Sequence, residues 1–195
     1  MTKPNSPFAV QIAIEKERRK REGLDTKLSP LFTPLPDQVG RPHMQRLVME
    51  SEADEIFAGG APGASKSFLL LGLAVTLQKN SVIFRRELAQ MYGEDGLIEK
   101  SRQMIGNRGK YNATKHTWSK IDGWRALEFA GVKNEDDKHK QQGRARDGYF
   151  FDEITEFPES VYEYLITWNR TNTPDQKCRV VCVGNPPTTP EGQWV

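Results

Sequence analysis

The residues of this chain with the clearest capacity for chemistry lie between Gly59 and Ser67, in the stretch GGAPGASKS. A short apolar segment, Ile56 to Ala58, precedes this stretch, and a strongly apolar segment, Phe68 to Leu77, follows it. The pattern predicts a strand, a loop and a helix in succession. Glycines let backbone N–H groups turn toward one point, and the positive end of the helix dipole faces the same point. The stretch therefore predicts an anion-binding loop that suits a triphosphate.

This loop follows the pattern G-x-x-x-x-G-K-[ST] with one departure, because Ser65 stands where the second glycine is expected. In the pattern, the lysine reaches the β- and γ-phosphates and the hydroxyl holds Mg²⁺, so Lys66 and Ser67 are predicted to do so here. A Gly- and Ser-rich turn before a buried helix is the alternative, but such a turn does not explain why a lysine, Lys66, begins an apolar helix. The residues predicted to contact the nucleotide here are Gly60, Ala61, Pro62, Gly63, Ala64, Ser65, Lys66 and Ser67.

Two consecutive carboxylates form the second chemical feature. Asp152 and Glu153 follow the apolar segment Tyr149 to Phe151, which predicts a short buried strand. A carboxylate at a strand end can hold Mg²⁺ through its water shell, which is the role predicted for Asp152. The second carboxylate can polarise the water that attacks a γ-phosphate, which is the role predicted for Glu153. The alternative is a strand that ends in an ordinary polar turn.

Further polar positions are placed to complete a nucleotide site. Arg85 and Arg86 end a predicted buried strand, and ligands of open parallel sheets lie beyond the carboxyl ends of strands. Either arginine could face the nucleotide or be a plain exposed charge. Asn185 follows the last predicted strand and could sense the γ-phosphate. Gln45, in a predicted short helix, has the donor and the acceptor needed to recognise an adenine edge, or it is an ordinary surface residue.

Length and composition predict one globular domain. The chain has 195 residues, of which 36% are hydrophobic and 28% are charged, and its formal net charge of +2 says little about partners. No apolar run approaches ~18 residues and no signal-peptide pattern opens the chain, so we expect a cytoplasmic protein without a membrane segment. Cys178 and Cys182 fall on one face of a predicted strand and are expected to be reduced core residues.

The patterning divides the chain into two regions. Residues 8–22 begin apolar and end in a run of charge, which is typical of a surface helix, and residues 24–42 carry four prolines, which is typical of a linker. We predict an N-terminal helix and Pro-rich wrapping segment over residues 1–41 and an α/β domain over residues 42–195.

Residues 100–125 combine an excess of basic side chains with interleaved aromatics. Basic side chains neutralise phosphates and aromatic rings stack on bases, so this segment is the best candidate for a nucleic-acid surface. The aromatics can equally be core residues of strands that the alternation predicts here. The residues concerned are Lys100, Arg102, Arg108, Lys110, Lys115, Lys120 and Arg125, with Tyr111, Trp118 and Trp124.

Taken together, these stretches resemble the ATPase domain of phage large terminase subunits, over about Pro42 to Val195. The resemblance rests on Gln45, the loop at 59–67 (Walker A), the strand and arginines at 83–86, the carboxylate strand at 149–153 (Walker B) and Gly184-Asn185-Pro186 as a coupling motif. It implies an α/β P-loop NTPase of the RecA-like (ASCE) class, with a largely parallel sheet and helices on both faces. It also implies ATP and Mg²⁺ as cofactors and hydrolysis that moves double-stranded DNA into a procapsid.

The resemblance also implies partners and one more residue. The partners are portal protein, the small terminase subunit and further copies in a ring, all in the host cytoplasm. Members of the family place an arginine that acts on a neighbour's nucleotide shortly before Walker B. Arg144 is the best-placed candidate and Arg146 is the reserve. Large terminases usually continue into a nuclease, whose connection would begin where this sequence stops, so we expect no DNA cleavage from these residues.

Two other functions remain open from the sequence. The chain could be another RecA-like, nucleic-acid-dependent ATPase such as a helicase core, which shares both phosphate motifs. It could also be a nucleotide-gated assembly module whose unusual loop binds ATP without hydrolysing it.

Overall fold

The structure is a computed structural model that describes residues 31–37, 43–60 and 65–195. The predicted helix over residues 8–22 and the loop residues Ala61 to Ala64 lie outside these ranges. The described strands are β1 (Glu55–Gly59), β2 (Asn80–Arg85), β3 (Lys110–Asn112), β4 (Thr117–Ile121), β5 (Arg125–Gly131), β6 (Gly148–Asp152) and β7 (Arg179–Gly184). The α-helices are α1 (Met44–Glu50), α2 (Lys66–Thr76), α3 (Leu97–Ile105) and α4 (Glu159–Ile166).

The strands form one seven-stranded sheet in the order β1-β7-β6-β2-β5-β4-β3. The first five of these strands are parallel, and β4 and β3 extend the sheet as antiparallel neighbours. The largely parallel sheet implied by the resemblance is therefore confirmed. Since the parallel strands all point the same way, the residues that follow them meet at one edge of the sheet.

Helices cover both faces of the sheet, as the resemblance implied. On one face, α2 is buried along almost its whole length and packs against β2, β6 and β7. This explains why its sequence, KSFLLLGLAVT, is apolar on all sides instead of striped. On the other face, Val161 and Leu165 of α4 pack against Phe84 and Phe151 of the sheet. Each face thus has its own apolar core.

Several elements differ from their predicted extent. The sequence predicts a turn and then a helix over residues 155–171, with Pro158 at the helix start. The helix in the structure spans Glu159–Ile166, so its end is earlier than predicted. A single 3-10 turn, Ile154–Glu156, precedes this helix, and Pro158 caps its start. Cys182 is buried in β7, as expected, whereas Cys178 lies just before the strand and is half-buried. Every helix in the described ranges is too short or too polar to span a bilayer.

Candidate nucleotide site

Lys66 opens α2 and is buried, with 7% of its surface exposed. Its Nζ donates to the carbonyl oxygen of Gly60 at 2.7 Å and to Oδ1 of Asn185 at 2.9 Å. A buried ammonium group is costly unless acceptors surround it, and here the acceptors come from both ends of the predicted site. The lysine therefore joins the phosphate loop to the residue that follows β7.

Ser67 lies one residue further along α2, and its Oγ donates to Oδ1 of Asp152 at 2.8 Å. The other carboxylate oxygen of Asp152 accepts from Arg85 at 2.9 Å. Arg85 is also held by Gln90, which accepts from its Nε at 3.0 Å. Burial raises the pKa of the Asp152 carboxyl, while the Arg85 guanidinium and the Ser67 hydroxyl act in the opposite direction. Arg85 thus contacts the Asp152 carboxylate at the end of β6, and its positive charge favours the ionised form of that carboxyl.

Glu153 follows Asp152 and contacts Asn185. The Asn185 side-chain amide lies 3.3 Å from Glu153 Oε1, and the Asn185 backbone N–H donates to Oε2 at 3.3 Å. Because Oδ1 of Asn185 accepts from Lys66, this one side chain connects the lysine to the carboxylate. Burial raises the pKa of nearby Glu156, and the charges of Glu153 and Asp152 raise it further, while the Arg85 guanidinium acts in the opposite direction.

Two residues of the site have left-handed backbone conformations. Ser65 has φ 53° and Glu153 has φ 54°. Such conformations are uncommon in residues other than glycine and cluster at functional sites. The positive φ of Ser65 explains why the phosphate-loop pattern usually has glycine at this position, because glycine adopts positive φ without a Cβ clash.

Gln45 is completely buried beside the phosphate loop. Its Oε1 accepts from the N–H of Leu35 at 2.9 Å, and its Nε2 lies 3.3 Å from the carbonyl oxygen of Ser65. Both ends of the amide are therefore engaged by the chain. A role in recognising adenine stays a prediction, and the contacts that the structure gives the Gln45 side chain are to Leu35 and Ser65.

The donor set at Ser67 and Asp152 fits the predicted cation. Both side chains offer oxygen atoms, the ligands that Mg²⁺ prefers, and Mg²⁺ is usually held by one or two protein groups together with water and phosphate. In the described residues, no group of three or more acidic, histidine or cysteine side chains is arranged as a metal cage.

Arg144 and Arg146 lie before β6, and both contact Glu128 of β5. Arg144 donates to the two carboxylate oxygens at 2.8 and 2.9 Å, and Arg146 donates to Oε2. The carboxylate pair lies at the opposite end of β6. Neither arginine contacts the phosphate-loop residues that the structure describes.

More side chains of the basic segment at residues 100–125 contact other residues of the chain than the sequence alone indicated. Trp118 is buried and its Nε1 donates to Ser101 at 2.8 Å, so this ring belongs to the core. Arg108 forms a salt bridge with Asp122 at 2.7 Å. Lys110, Lys115 and Lys120 are exposed on the β3–β4 hairpin.

Sequence reasoning missed two buried carboxylates. Glu128 lies in an apolar strand, and a charged residue between Leu127 and Phe129 indicates a buried carboxylate that is paired with a cation. Asp147 is 1% exposed and accepts from the consecutive N–H groups of Lys79 and Asn80 at 3.1 and 2.9 Å. Asp147 thereby ties the start of β2 to the start of β6.

Comparison with solved structures shows the same fold. The large terminase of a thermophilic bacteriophage superposes with a TM-score of 0.57 at 18% identity, over 69% of this chain and 34% of that one. The complex of that terminase with ADP gives 0.52 at 16% identity, over 68% and 33%. The HK97 bacteriophage large terminase gives 0.52 at 10% identity, over 69% and 29%. The chain thus spans about a third of the length of these proteins. No curated protein sequence matches it.

One family profile matches, described as "Terminase large subunit, T4likevirus-type, N-terminal", over residues 63–190. This range begins in the predicted phosphate loop and continues beyond Asn185. It covers both the carboxylate pair and the asparagine that contacts Glu153. The match extends over more than half of the sequence, and the chain therefore belongs to the family of large terminase N-terminal domains.

Proposed function

We propose that this domain hydrolyses Mg-ATP and uses the reaction to move double-stranded DNA into a procapsid. The proposal assigns the ATPase unit to residues 42–195, in the host cytoplasm. Its partners are duplex DNA, portal protein, the small terminase subunit and further copies of the chain in a ring. The observation that carries the proposal is the contact of Ser67 with Asp152, because it brings the two predicted cation ligands within 2.8 Å of each other.

The first step is binding of the phosphates. Lys66 lies between Gly60 and Asn185, where its ammonium group can turn to the β- and γ-phosphates. Ser67 and Asp152 would hold the cation. When bound, Mg²⁺ neutralises charge on the β- and γ-phosphate oxygens. The large terminase of the thermophilic bacteriophage, one of the proteins with this fold, has been solved in complex with ADP, which supports a nucleotide as the ligand.

The second step is attack by water on the γ-phosphate. Glu153 accepts a proton from the water as the new bond forms, and the bond between the γ-phosphorus and the bridging oxygen breaks to leave ADP. Asn185 orients Glu153 through two contacts at 3.3 Å. Since Asn185 also contacts Lys66, it is placed to respond to the γ-phosphate, the sensor role predicted for it.

Arg144 is proposed to act on the nucleotide of a neighbouring copy. Glu128 lies level with Val82 and Tyr149 in the sheet, three strand positions before Asp152. At about 3.3 Å per residue, Glu128 and the guanidinium that contacts it are offset by roughly 10 Å, measured along the strand direction, from the chain's own carboxylate pair. An arginine supplied in trans can raise the rate ~10³-fold or more, so the isolated domain is expected to be a poor ATPase.

Phosphate release from Mg-ATP, measured over a series of protein concentrations with and without intact duplex DNA, tests this function. We expect a low rate at low concentration that rises as the ring assembles on DNA. Failure to release phosphate under every condition, with ATP still bound, would favour the nucleotide-gated assembly module. Unwinding of a partial duplex would favour a helicase core, since a packaging motor moves on intact duplex.

A further inference from the structure

Glu128 lies in the middle of β5, with Leu127 and Phe129 buried on either side. It is itself only 9% exposed. A carboxylate buried to this degree is costly unless cations or hydrogen-bond donors surround it. Its two guanidinium partners therefore account for its presence in an otherwise apolar strand.

The two arginines contact Glu128 in different ways. Arg144 uses both terminal nitrogens on both carboxylate oxygens, which fixes the plane of its guanidinium, whereas Arg146 contacts Oε2 alone. The side chain of Arg144 is 44% exposed and that of Arg146 is 12% exposed. Arg146 is thus an internal support, and Arg144 is the member of the pair that can meet another molecule.

The segment that carries Arg144 is also anchored through its backbone. The Tyr149 hydroxyl donates to the carbonyl oxygen of Arg144 at 2.9 Å, and the Arg144 N–H donates to the carbonyl oxygen of Gln141 at 3.2 Å. Arg146 donates to the same Arg144 carbonyl at 3.2 Å. These contacts hold the backbone of Arg144, and the contact with Glu128 holds its guanidinium.

A groove of about 340 Å³ lies beside this cluster, lined by Arg144, Arg146, Glu128 and polar residues that include Asn80 and Thr117. Of the described residues that line it, Glu128 is the one acidic side chain, and two arginines share its charge. The groove therefore carries a net positive charge and suits an anion.

We propose that Glu128 is a positioning residue that clamps Arg144, so that the exposed guanidinium meets a phosphate of the nucleotide held by a neighbouring copy of this chain. The inference rests on the proposed function. It adds a division of labour that the sequence did not indicate: Glu128 and Arg146 set the orientation, and Arg144 makes the contact.

Subunit mixing tests the proposal, with Glu128→Gln, Glu128→Asp and the matched control Glu135→Gln. Glu135 lies in the neighbouring 3-10 helix, where its carboxylate contacts Lys138 and Ser160. We expect phosphate release by the assembled motor to fall roughly tenfold or more in both Glu128 variants, since small misplacements of a reacting group have effects of this size. ATP affinity and the control should be unchanged.

Mixtures with Glu153→Gln subunits separate a role in trans from a structural one. A ring can combine Glu128→Gln with Glu153→Gln subunits. At some interfaces, the intact Glu153 of a Glu128→Gln subunit then meets an Arg144 that is positioned by the intact Glu128 of its neighbour, so part of the activity should return. If the activity of Glu128→Gln is normal, or if mixing restores nothing, Glu128 does not position a trans arginine.

Arginine side-chain NMR gives a readout that does not need hydrolysis. Relaxation of the Nε–H resonance should show that the Arg144 side chain is rigid in the wild type and mobile in Glu128→Gln. An equally rigid resonance in the variant would overturn the clamp, whatever the ATPase assay shows. Absence of ATP binding or hydrolysis by the wild type would instead count against the proposed function. If Glu128→Gln fails to fold, Glu128→Asp keeps the charge and carries the same comparisons.

Discussion

The hydroxyl of Ser67 donates to the carboxylate of Asp152 across 85 residues of sequence. The sheet order explains the contact, because only β7 separates β1, which leads into the phosphate loop, from β6, which ends in Asp152. Neighbouring strands lie about 4.8 Å apart, so β1 and β6 are separated by roughly 10 Å. Ser67, at the start of α2, lies within hydrogen-bond distance of Asp152 at the end of β6. The pairing that defines the site is thus a consequence of strand order.

Lys66→Ala should weaken ATP binding by about 10- to 100-fold, because hydrogen bonds to a charged group contribute roughly 1.5–3 kcal/mol. Isothermal titration calorimetry measures the affinity. Lys79→Ala is the matched control, since Lys79 lies beyond the other end of α2 and its Nζ contacts Thr173 at 3.2 Å. Equal affinity of Lys66→Ala and wild type would remove Lys66 from the phosphate site.

Glu153→Gln should leave ATP binding nearly intact while phosphate release in the assembled motor falls by roughly 10² or more, because the amide keeps the shape but loses the basicity. Glu156→Gln, three residues further on and more exposed, should retain hydrolysis. Calorimetry and phosphate release together separate the two effects. Normal turnover by Glu153→Gln would mean that another group accepts the proton.

Ser65→Gly should be neutral or stabilising, whereas Ser65→Val should destabilise the domain by about 1–2 kcal/mol. The reason is the left-handed conformation at this position, which glycine adopts freely and a β-branched residue adopts with strain. Urea unfolding monitored by circular dichroism measures the change. The idea fails if valine is tolerated as well as glycine.

Asp147→Asn should remove a pH dependence of stability. Burial raises the pKa of Asp147 to about 6, although the Asn80 and Lys79 backbone N–H groups act in the opposite direction. The folded state therefore takes up a proton at higher pH than the unfolded state, whose pKa is near the ordinary 3.8. The stabilisation from this group is complete below about pH 4 and is lost as the pH rises through 6.

The free energy of unfolding of the wild type, minus that of Asp147→Asn, should therefore increase by up to about 3 kcal/mol between pH 7 and pH 4. Exposed Asp175 offers the control variant Asp175→Asn. A difference that stays constant across this range would mean that the Asp147 carboxyl titrates alike in both states.

The central strands could be predicted from the sequence because each is an apolar run followed by a polar residue. The sequence predicts strands at residues 81–86, 149–151 and 179–183, and the bounds of β2, β6 and β7 agree with these ranges to within one residue. The three-residue β3 was not predicted, since KYN has too few residues to show an alternation. The antiparallel extension of the sheet therefore emerged only from the structure.

The contacts of the site were harder to predict than its residue types. Lys66, Ser67 and Asp152 could be chosen because their chemistry matches their positions in the chain. The engagement of Gln45 by Leu35 and Ser65 depends on packing between segments that sequence spacing does not encode. The same holds for Glu128, whose partners lie 16 and 18 residues away and come together only when β5 and β6 lie on either side of β2.

The position of β7 has a consequence during synthesis of the protein. β7 is the last of the described strands in sequence, yet it lies between β1 and β6, and residues 55–59 pair with residues 180–184. When only the first six described strands have left the ribosome, Lys66, Asp152 and Glu153 have been made, but β7, which lies between β1 and β6, has not. The chain emerges N-terminus first, so β1 is made well before β7, the strand that pairs with it in the described sheet. A nascent chain is therefore expected to acquire nucleotide affinity abruptly, when residues 179–185 leave the exit tunnel.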